Sequence, residues 1–254
     1  MNIPALYKAY LMWKRCGAIP PFDEGTVAGW GRSCIALIPH NHPNVIVKFV
    51  EGTRPRGVMS VGHEFDLMEK LLCLKGDRFV TPIPLSWGKK PNYLAMEYVG
   101  KPFLVGQSCE DEIETIGRAV GEFSALTFLN LGRLHADICH PNLTRAPCKR
   151  IGIIDIASVC RLPALENMFL TPLLAPGFNI SPYIADEFTR QTGIALNFDH
   201  IVKINEERLL THFSNFPDPK KAEIFRDSRN NIEEWRRFLA SQKRAGDQPK
   251  AKPV

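Results

Sequence analysis

The sequence predicts an α+β chain in two lobes: a first lobe built on an antiparallel sheet with one main helix, and a mostly helical second lobe. Three observations carry that reading. Apolar residues alternate between Gly25 and Val50 and again between Pro82 and Val99, the period of half-buried strands. One stretch of helical spacing, Val61 to Leu74, separates the two strand regions. Beyond Gly100 the apolar residues recur mainly at helical intervals. At 254 residues, 44% hydrophobic and 23% charged, the chain lies in the ordinary globular range and is long enough to bury a core in each lobe. The expected division is 1-24 as a helical extension, 25-99 as the first lobe, 100-242 as the second and 243-254 as a basic, disordered tail.

The elements follow in order. Pro4 to Arg15 reads as a short helix with Leu6, Tyr10 and Trp13 on one side, ended by Gly17 and Pro20-Pro21. Ile35, Leu37, Val45, Val47 and Phe49 then alternate about the turn Pro39-His-Asn-His-Pro-Asn44, which implies consecutive antiparallel strands. In the first-lobe helix, Phe65, Met68, Leu71 and Leu72 form the buried stripe. Strands over Pro82 to Trp87 and Tyr93 to Val99 flank the turn Gly88-Lys-Lys-Pro-Asn92. Ser108 and Asp111 make a capping-box pattern ahead of Ile113, Ile116, Val120, Phe123 and Leu126, so a long helix is expected to end near Leu131-Gly132. A loop rich in His, Asp, Pro and Asn follows, then a strand-like Ile151-Gly-Ile-Ile154 and irregular chain to about Pro182. The last helix carries Ile232, Trp235, Phe238 and Leu239 as its apolar stripe.

Composition excludes several classes of function. No apolar run approaches the roughly 20 residues needed to cross a bilayer, and the first residues lack the basic-then-apolar order of a signal peptide. The seven cysteines are scattered without a C-x-x-C pair, which reads as reduced thiols in a cytoplasm. The net charge of +5 owes much to Lys243, Arg244, Lys250 and Lys252, and the chain lacks the aromatic and basic interleaving of single-strand binders, which argues against nucleic acid. His40 with His42, or Cys139, His140 and Cys148, match no common zinc spacing.

The most specific segment is Leu134-His-Ala-Asp-Ile-Cys-His-Pro-Asn142, which supplies His135-x-Asp137-x-x-x-x-Asn142 ahead of Ile153-Ile154-Asp155 at a strand end. Phosphoryl transfer needs a carboxylate to take the acceptor hydroxyl's proton and oxygen ligands that hold Mg2+ against the phosphates. Asp137, Asn142 and Asp155 are the residue types for those roles. With this segment the sequence resembles the protein-kinase-like superfamily, whose catalytic loop has the same spacing and whose metal-binding aspartate follows on the next strand. The resemblance implies ATP and Mg2+ as cofactors, Asp137 as catalytic base, His135 as a structural residue, and Asn142 and Asp155 as metal ligands. It spans about residues 25-160. Gly29-Trp-Gly31-Arg-Ser-Cys34 resembles the glycine-rich phosphate loop, with Cys34 at the place of the third glycine. Val45-Ile-Val-Lys48 resembles the strand lysine, and Glu64, or Glu69 as the fallback, the helix glutamate that pairs with it. Tyr93 to Gly100, with Glu97, resembles the hinge that meets the adenine edge.

Departures from the family pattern bear on regulation and acceptor. Ala136 stands where many regulated kinases carry arginine, and Ile156-Ala157 follows Asp155 in place of Phe-Gly, so loop phosphorylation is not expected to switch the protein on. Cys139 occupies the place of a phosphate-steadying lysine, with His140 as a nearby substitute. That departure brings small-molecule kinases of the aminoglycoside and choline type into view beside atypical bacterial or phage serine/threonine kinases. Ser181-Pro-Tyr-Ile-Ala-Asp-Glu187 resembles the end of an activation segment, with a simple helix start as the alternative. The expectation is transfer of the ATP γ-phosphoryl group to a hydroxyl of a protein, with a small-molecule kinase and an inactive binding module as alternatives.

Overall fold

The computed structural model describes residues 1–16, 24–30, 34–50, 59–103, 112–174, 179–214 and 220–246. Gly17, Pro20, Pro21, Gly31, Ser108, Asp111 and 247-254 lie outside them. In chain order the elements are α1 (Ile3–Cys16), β1 (Gly25–Trp30), β2 (Cys34–Pro39), β3 (Val45–Val50), α2 (Val61–Leu71), β4 (Phe79–Val80), β5 (Pro84–Lys89), β6 (Asn92–Glu97) and β7 (Lys101–Pro102). There follow α3 (Ile113–Leu131), β8 (Leu134–His135), β9 (Leu143–Arg145), β10 (Ile151–Ile153), β11 (Val159–Cys160), α4 (Leu170–Leu174), α5 (Ser181–Thr192), α6 (Phe198–Ser214) and α7 (Lys220–Gly246). The chain divides into two compact units, Met1–Lys101 with Thr144–Val159, and Pro102–Leu143 with Cys160–Val254.

The first unit holds an antiparallel five-stranded sheet in the order β1-β2-β3-β6-β5. Strand alternation gives β3 two faces. Val47 and Phe49 are fully buried against α1, in a core with Leu6, Ala9, Tyr10, Ile35, Leu37 and Ala95. Tyr10 stacks on Phe49 at 5.6 Å between ring centres, and Tyr7 joins the cluster. Lys48, between those two core residues, therefore projects to the opposite face. There α2 packs against β5 and β6, burying Val61, Leu67, Met68 and Leu71. Ser60 caps α2 by accepting the His63 N–H at 3.3 Å.

The segment from Thr144 to Val159 was expected in the second lobe, yet its contacts place it with the first unit. The cause is local pairing: β10 runs parallel to β4, with Ile151 opposite Phe79 and Gly152 opposite Val80. Two close approaches seal the junction. Gly100 has φ 112°, and a Cβ there would lie 2.1 Å from the Arg145 carbonyl oxygen. Thr144 Oγ1 donates to the Val99 carbonyl at 2.9 Å.

The second unit is helical. Its strongest pairing is α3 on α5, and Gly117 and Gly121 make that approach possible, since Cβ atoms there would lie 2.5 Å and 2.7 Å from the Cβ atoms of Tyr183 and Glu187. Arg118 joins the two helices by donating to Asp186 of α5 at 2.8 Å, while its other bond, to Glu114 at 2.8 Å, stays within α3. Trp235 of α7 packs on Phe169 and Phe198. The helix α7 runs on to Gly246, into the stretch 243-254 expected as a tail. The chain between Asp155 and Pro182 is less irregular than expected, with short 3-10 turns at Ile156–Ser158 and Leu165–Phe169 and the helix α4.

Candidate active site

Lys48 sits on the central strand β3, opposite Ala36 of β2 and Leu94 of β6. Its Nζ donates to Glu64 Oε1 at 3.1 Å and to Asp155 Oδ1 at 2.7 Å. Glu64, in the first turn of α2, is 1% exposed. Glu69, the fallback partner, is exposed on the same helix. Burial lowers the Lys48 pKa, but the negative charges of Glu64 and Asp155, with Cys34 adding to them, outweigh it and hold the ammonium above its ordinary value. The lysine is therefore charged throughout the physiological range.

Asp155 lies two residues beyond the apolar strand β10, at the head of the turn Ile156–Ser158, in the left-handed region, φ 56° and ψ 53°. Asp tolerates this conformation better than most residues. Ser158, on the turn that follows, donates its hydroxyl to Asp155 Oδ2 at 2.9 Å. Nothing in the spacing of motifs signalled Ser158.

The remaining motif residues belong to the second unit. His135 is buried at 1% exposure, its Nδ1 accepts the Asp137 N–H at 3.2 Å, and the edge of Phe123 meets its ring. Asn142 Nδ2 donates to the Asp137 carbonyl at 2.8 Å and to Asp137 Oδ2 at 3.1 Å. Those bonds tie the two ends of the loop together and orient the Asp137 carboxylate. Thr171, another residue without a sequence signal, donates to the Ala136 carbonyl at 3.2 Å. His140 is 2% exposed and burial lowers its pKa, so at neutral pH it is an uncharged imidazole.

Gly29 lies at a bulge in β1, and a Cβ there would meet nothing within 4 Å. Gly31 falls outside the described residues. Glu97 closes β6, where its N–H donates to the Ile83 carbonyl at 2.9 Å and the Tyr98 N–H donates to the Asn44 carbonyl at 2.8 Å. Glu97, Tyr98 and Val99 border a cleft of about 720 Å³ within the first unit, but Lys48, Glu64 and Asp155 do not line it. The ion-paired trio is the chemical centre of that unit, because charge converges there in a buried setting.

The donors suit a hard cation. Within the first unit Asp155 offers carboxylate oxygens; within the second, taken by itself, Asn142, whose Nδ2 is engaged by Asp137, offers an amide oxygen. Among the described residues no three His, Cys, Asp or Glu side chains gather as a metal cage. A dedicated cage is not what Mg2+ with a nucleotide needs, since phosphates and water complete its shell. Among the described residues Cys34, Cys73, Cys139, Cys148 and Cys160 form no disulfide. Among the described residues no helix is long and apolar enough to cross a membrane.

No family model and no curated protein matches the sequence. Solved structures do match. The macrolide 2'-phosphotransferase MphH from Brachybacterium faecium, as the apoenzyme, aligns with a TM-score of 0.53 and 9% identity, over 84% of this chain and 94% of that one. WbdD, co-crystallised with the kinase inhibitor LY294002, aligns with a TM-score of 0.42 and 16% identity over 80% of this chain. The alignment takes in 47% of WbdD, so this chain spans about half its length.

Proposed function

From the two-lobed, protein-kinase-like fold that this chain has, we propose an ATP-dependent phosphotransferase that moves the γ-phosphoryl group to a hydroxyl acceptor. The single observation that carries the reading is the Lys48 ammonium held between Glu64 and Asp155. A buried lysine locked to a helix glutamate is a preformed partner for the inner phosphates of a nucleotide. Gly29 leaves the backbone of β1 open to phosphate oxygens, and the strand end at Glu97 is the candidate adenine edge. Asp155 and Asn142 would hold Mg2+, which when bound offsets the charge of the phosphates.

Asp137 is the proposed base. As the acceptor oxygen bonds to the γ-phosphorus and the bond to the ADP oxygen breaks, the hydroxyl proton passes to the Asp137 carboxylate. Asn142 on Oδ2 and His135 on the backbone N–H keep that carboxylate from rotating away. His135 thus acts by orientation, and Asn142 orients Asp137 through its Nδ2 while its amide oxygen is the proposed metal ligand.

The acceptor in this reading is a Ser or Thr hydroxyl of a protein, in a cytoplasmic setting suited to cysteines outside disulfides. Two observations favour a small alcohol as the second reading. The catalytic loop has Cys139 and an uncharged, buried His140 where a cation would steady the transferred group. The stretch that resembles the end of an activation segment is also simply the start of α5, with Ser181 in its first turn and Glu187 bonded to Arg190 and Gln191. The protein MphH, with a similar fold, is named for a small-molecule acceptor.

Incubation with ATP labelled at the γ-phosphate, alone and then with lysate proteins or metabolites, tests the reading. Label on protein that survives denaturing electrophoresis supports a protein acceptor; label confined to small molecules supports the second reading. Asp137→Ala should abolish transfer while leaving the melting temperature unchanged. Undiminished transfer by that variant removes Asp137 from the mechanism, and transfer to nothing by the wild-type chain leaves an inactive binding module.

A further inference from the structure

Asp155 is held by groups of its own unit at both carboxylate oxygens and at its carbonyl. Lys48 Nζ donates to Oδ1 at 2.7 Å, and Ser158 Oγ donates to Oδ2 at 2.9 Å. The Ser158 N–H donates to the Asp155 carbonyl at 2.9 Å, closing a tight turn. The two partners differ in stiffness. Lys48 reaches Asp155 through a four-carbon stem ending in three interchangeable donors, which sets a charge without setting an angle. Ser158 has one side-chain torsion and stands on a turn whose own backbone bond fixes its distance from Asp155.

We propose that Ser158 is a positioning residue for Asp155, keeping the carboxylate plane oriented for a cation through its hydroxyl. The inference rests on the phosphotransfer reading. In that reading a nucleotide competes for Lys48, and the Lys48 bond to Oδ1 is given up at the moment a metal must be bound. The bond on Oδ2 persists, so the carboxylate keeps one defined rotation and presents Oδ1 to the metal. The left-handed backbone of Asp155 points the same way, since non-glycine residues keep that conformation where surrounding bonds support it. Hydrogen bonds to ligating carboxylates are a general means of orienting them, and their loss typically lowers metal affinity about 10- to 100-fold.

The test is calorimetric titration of ATP into the full chain at rising Mg2+ concentrations and in EDTA, for wild type, Ser158→Ala and Ser158→Thr. Ser158→Ala should raise the Mg2+ concentration for half-maximal ATP affinity about tenfold. ATP affinity in EDTA and the melting temperature should stay at wild-type values, and Ser158→Thr, which keeps the hydroxyl, should restore the midpoint. An unchanged Mg2+ midpoint in Ser158→Ala, beside a Mg2+-dependent wild type, overturns this inference alone. Equal weakening with and without Mg2+ also overturns it, by showing a role in packing. A wild-type chain whose ATP binding ignores Mg2+ overturns the phosphotransfer reading together with it.

Discussion

Lys48 shows how one residue can matter to stability and chemistry at once. Its side chain is 12% exposed and pairs with the side chain of Glu64, which is 1% exposed. Removing one partner of a buried ion pair commonly costs on the order of 3 kcal/mol, because the other charge stays behind in a poor solvent. Lys48→Met should therefore destabilise the chain by about that amount in urea denaturation at pH 7; a loss below about 1 kcal/mol would mean that Glu64 is satisfied by its other contacts. The sign with pH follows from the raised pKa. The folded state binds the proton more tightly than the unfolded chain, so the stabilisation is fully present below the ordinary lysine value of about 10.4. It is lost only as pH rises beyond that value, and the gap between wild type and Lys48→Met should be flat from pH 7 to about 10 and shrink above it. The pairing of Lys48 with Glu64 was legible in the sequence only through the family resemblance, which left Glu69 as the fallback; the period placed Lys48 on a strand and both glutamates on one helix. Ser158 and Thr171 were not legible, because a hydroxyl in a turn has no spacing signature; only the turn geometry shows where it donates.

At the scale of elements, period was the reliable signal and pairing the hidden one. The helix over Ile113–Leu131 and the strands about Lys48 follow from apolar spacing alone. What spacing could not reveal is that β10 joins β4, because a parallel pair of two residues leaves no pattern in either strand. That pairing moves Asp155 into the unit that holds Lys48. The α3 and α5 pairing was equally silent, although Gly117 and Gly121 share one face of α3. A Cβ at Gly121 would lie 2.7 Å from Glu187 Cβ and 2.8 Å from the Ile184 carbonyl oxygen, both close to the backbone of α5 and unable to swing aside. Alanine at a helix interior ordinarily gains about 1 kcal/mol over glycine. Here overpacking, worth about 1–3 kcal/mol, opposes that gain. Gly121→Ala should thus lower the unfolding free energy, and Gly117→Ala, with Tyr183 Cβ at 2.5 Å, should lower it further. Stabilisation by either variant in equilibrium denaturation would show that α5 shifts freely against α3.

For the molecule as a whole, the proposed chemistry divides between two compact units that fold from interleaved stretches of chain. In the proposed reading the first carries Lys48, Glu64 and Asp155, the groups for nucleotide and metal; the second carries Asp137, the group for the acceptor proton, and Asn142, which orients Asp137 and is the other proposed metal ligand. Binding and turnover should therefore separate under mutation. Any ligand taken up by the native state alone stabilises it by mass action, about 2.7 kcal/mol at a hundredfold excess over the dissociation constant. For a chain of this size, each kcal/mol raises the melting temperature by roughly 2–4 °C. ATP with Mg2+ at that excess should thus raise the wild-type melting temperature by roughly 5–10 °C. Asp155→Ala and Lys48→Met should lose most of the shift, since they remove groups that would hold the metal and the phosphates. Asp137→Ala should keep the shift in full while transferring no label, because in the proposed reading its carboxylate takes the acceptor proton and does not hold the nucleotide. Loss of the shift in Asp137→Ala together with retention in Asp155→Ala would reverse the assignment of the two aspartates. Absence of any shift in the wild type would remove the nucleotide from the function altogether.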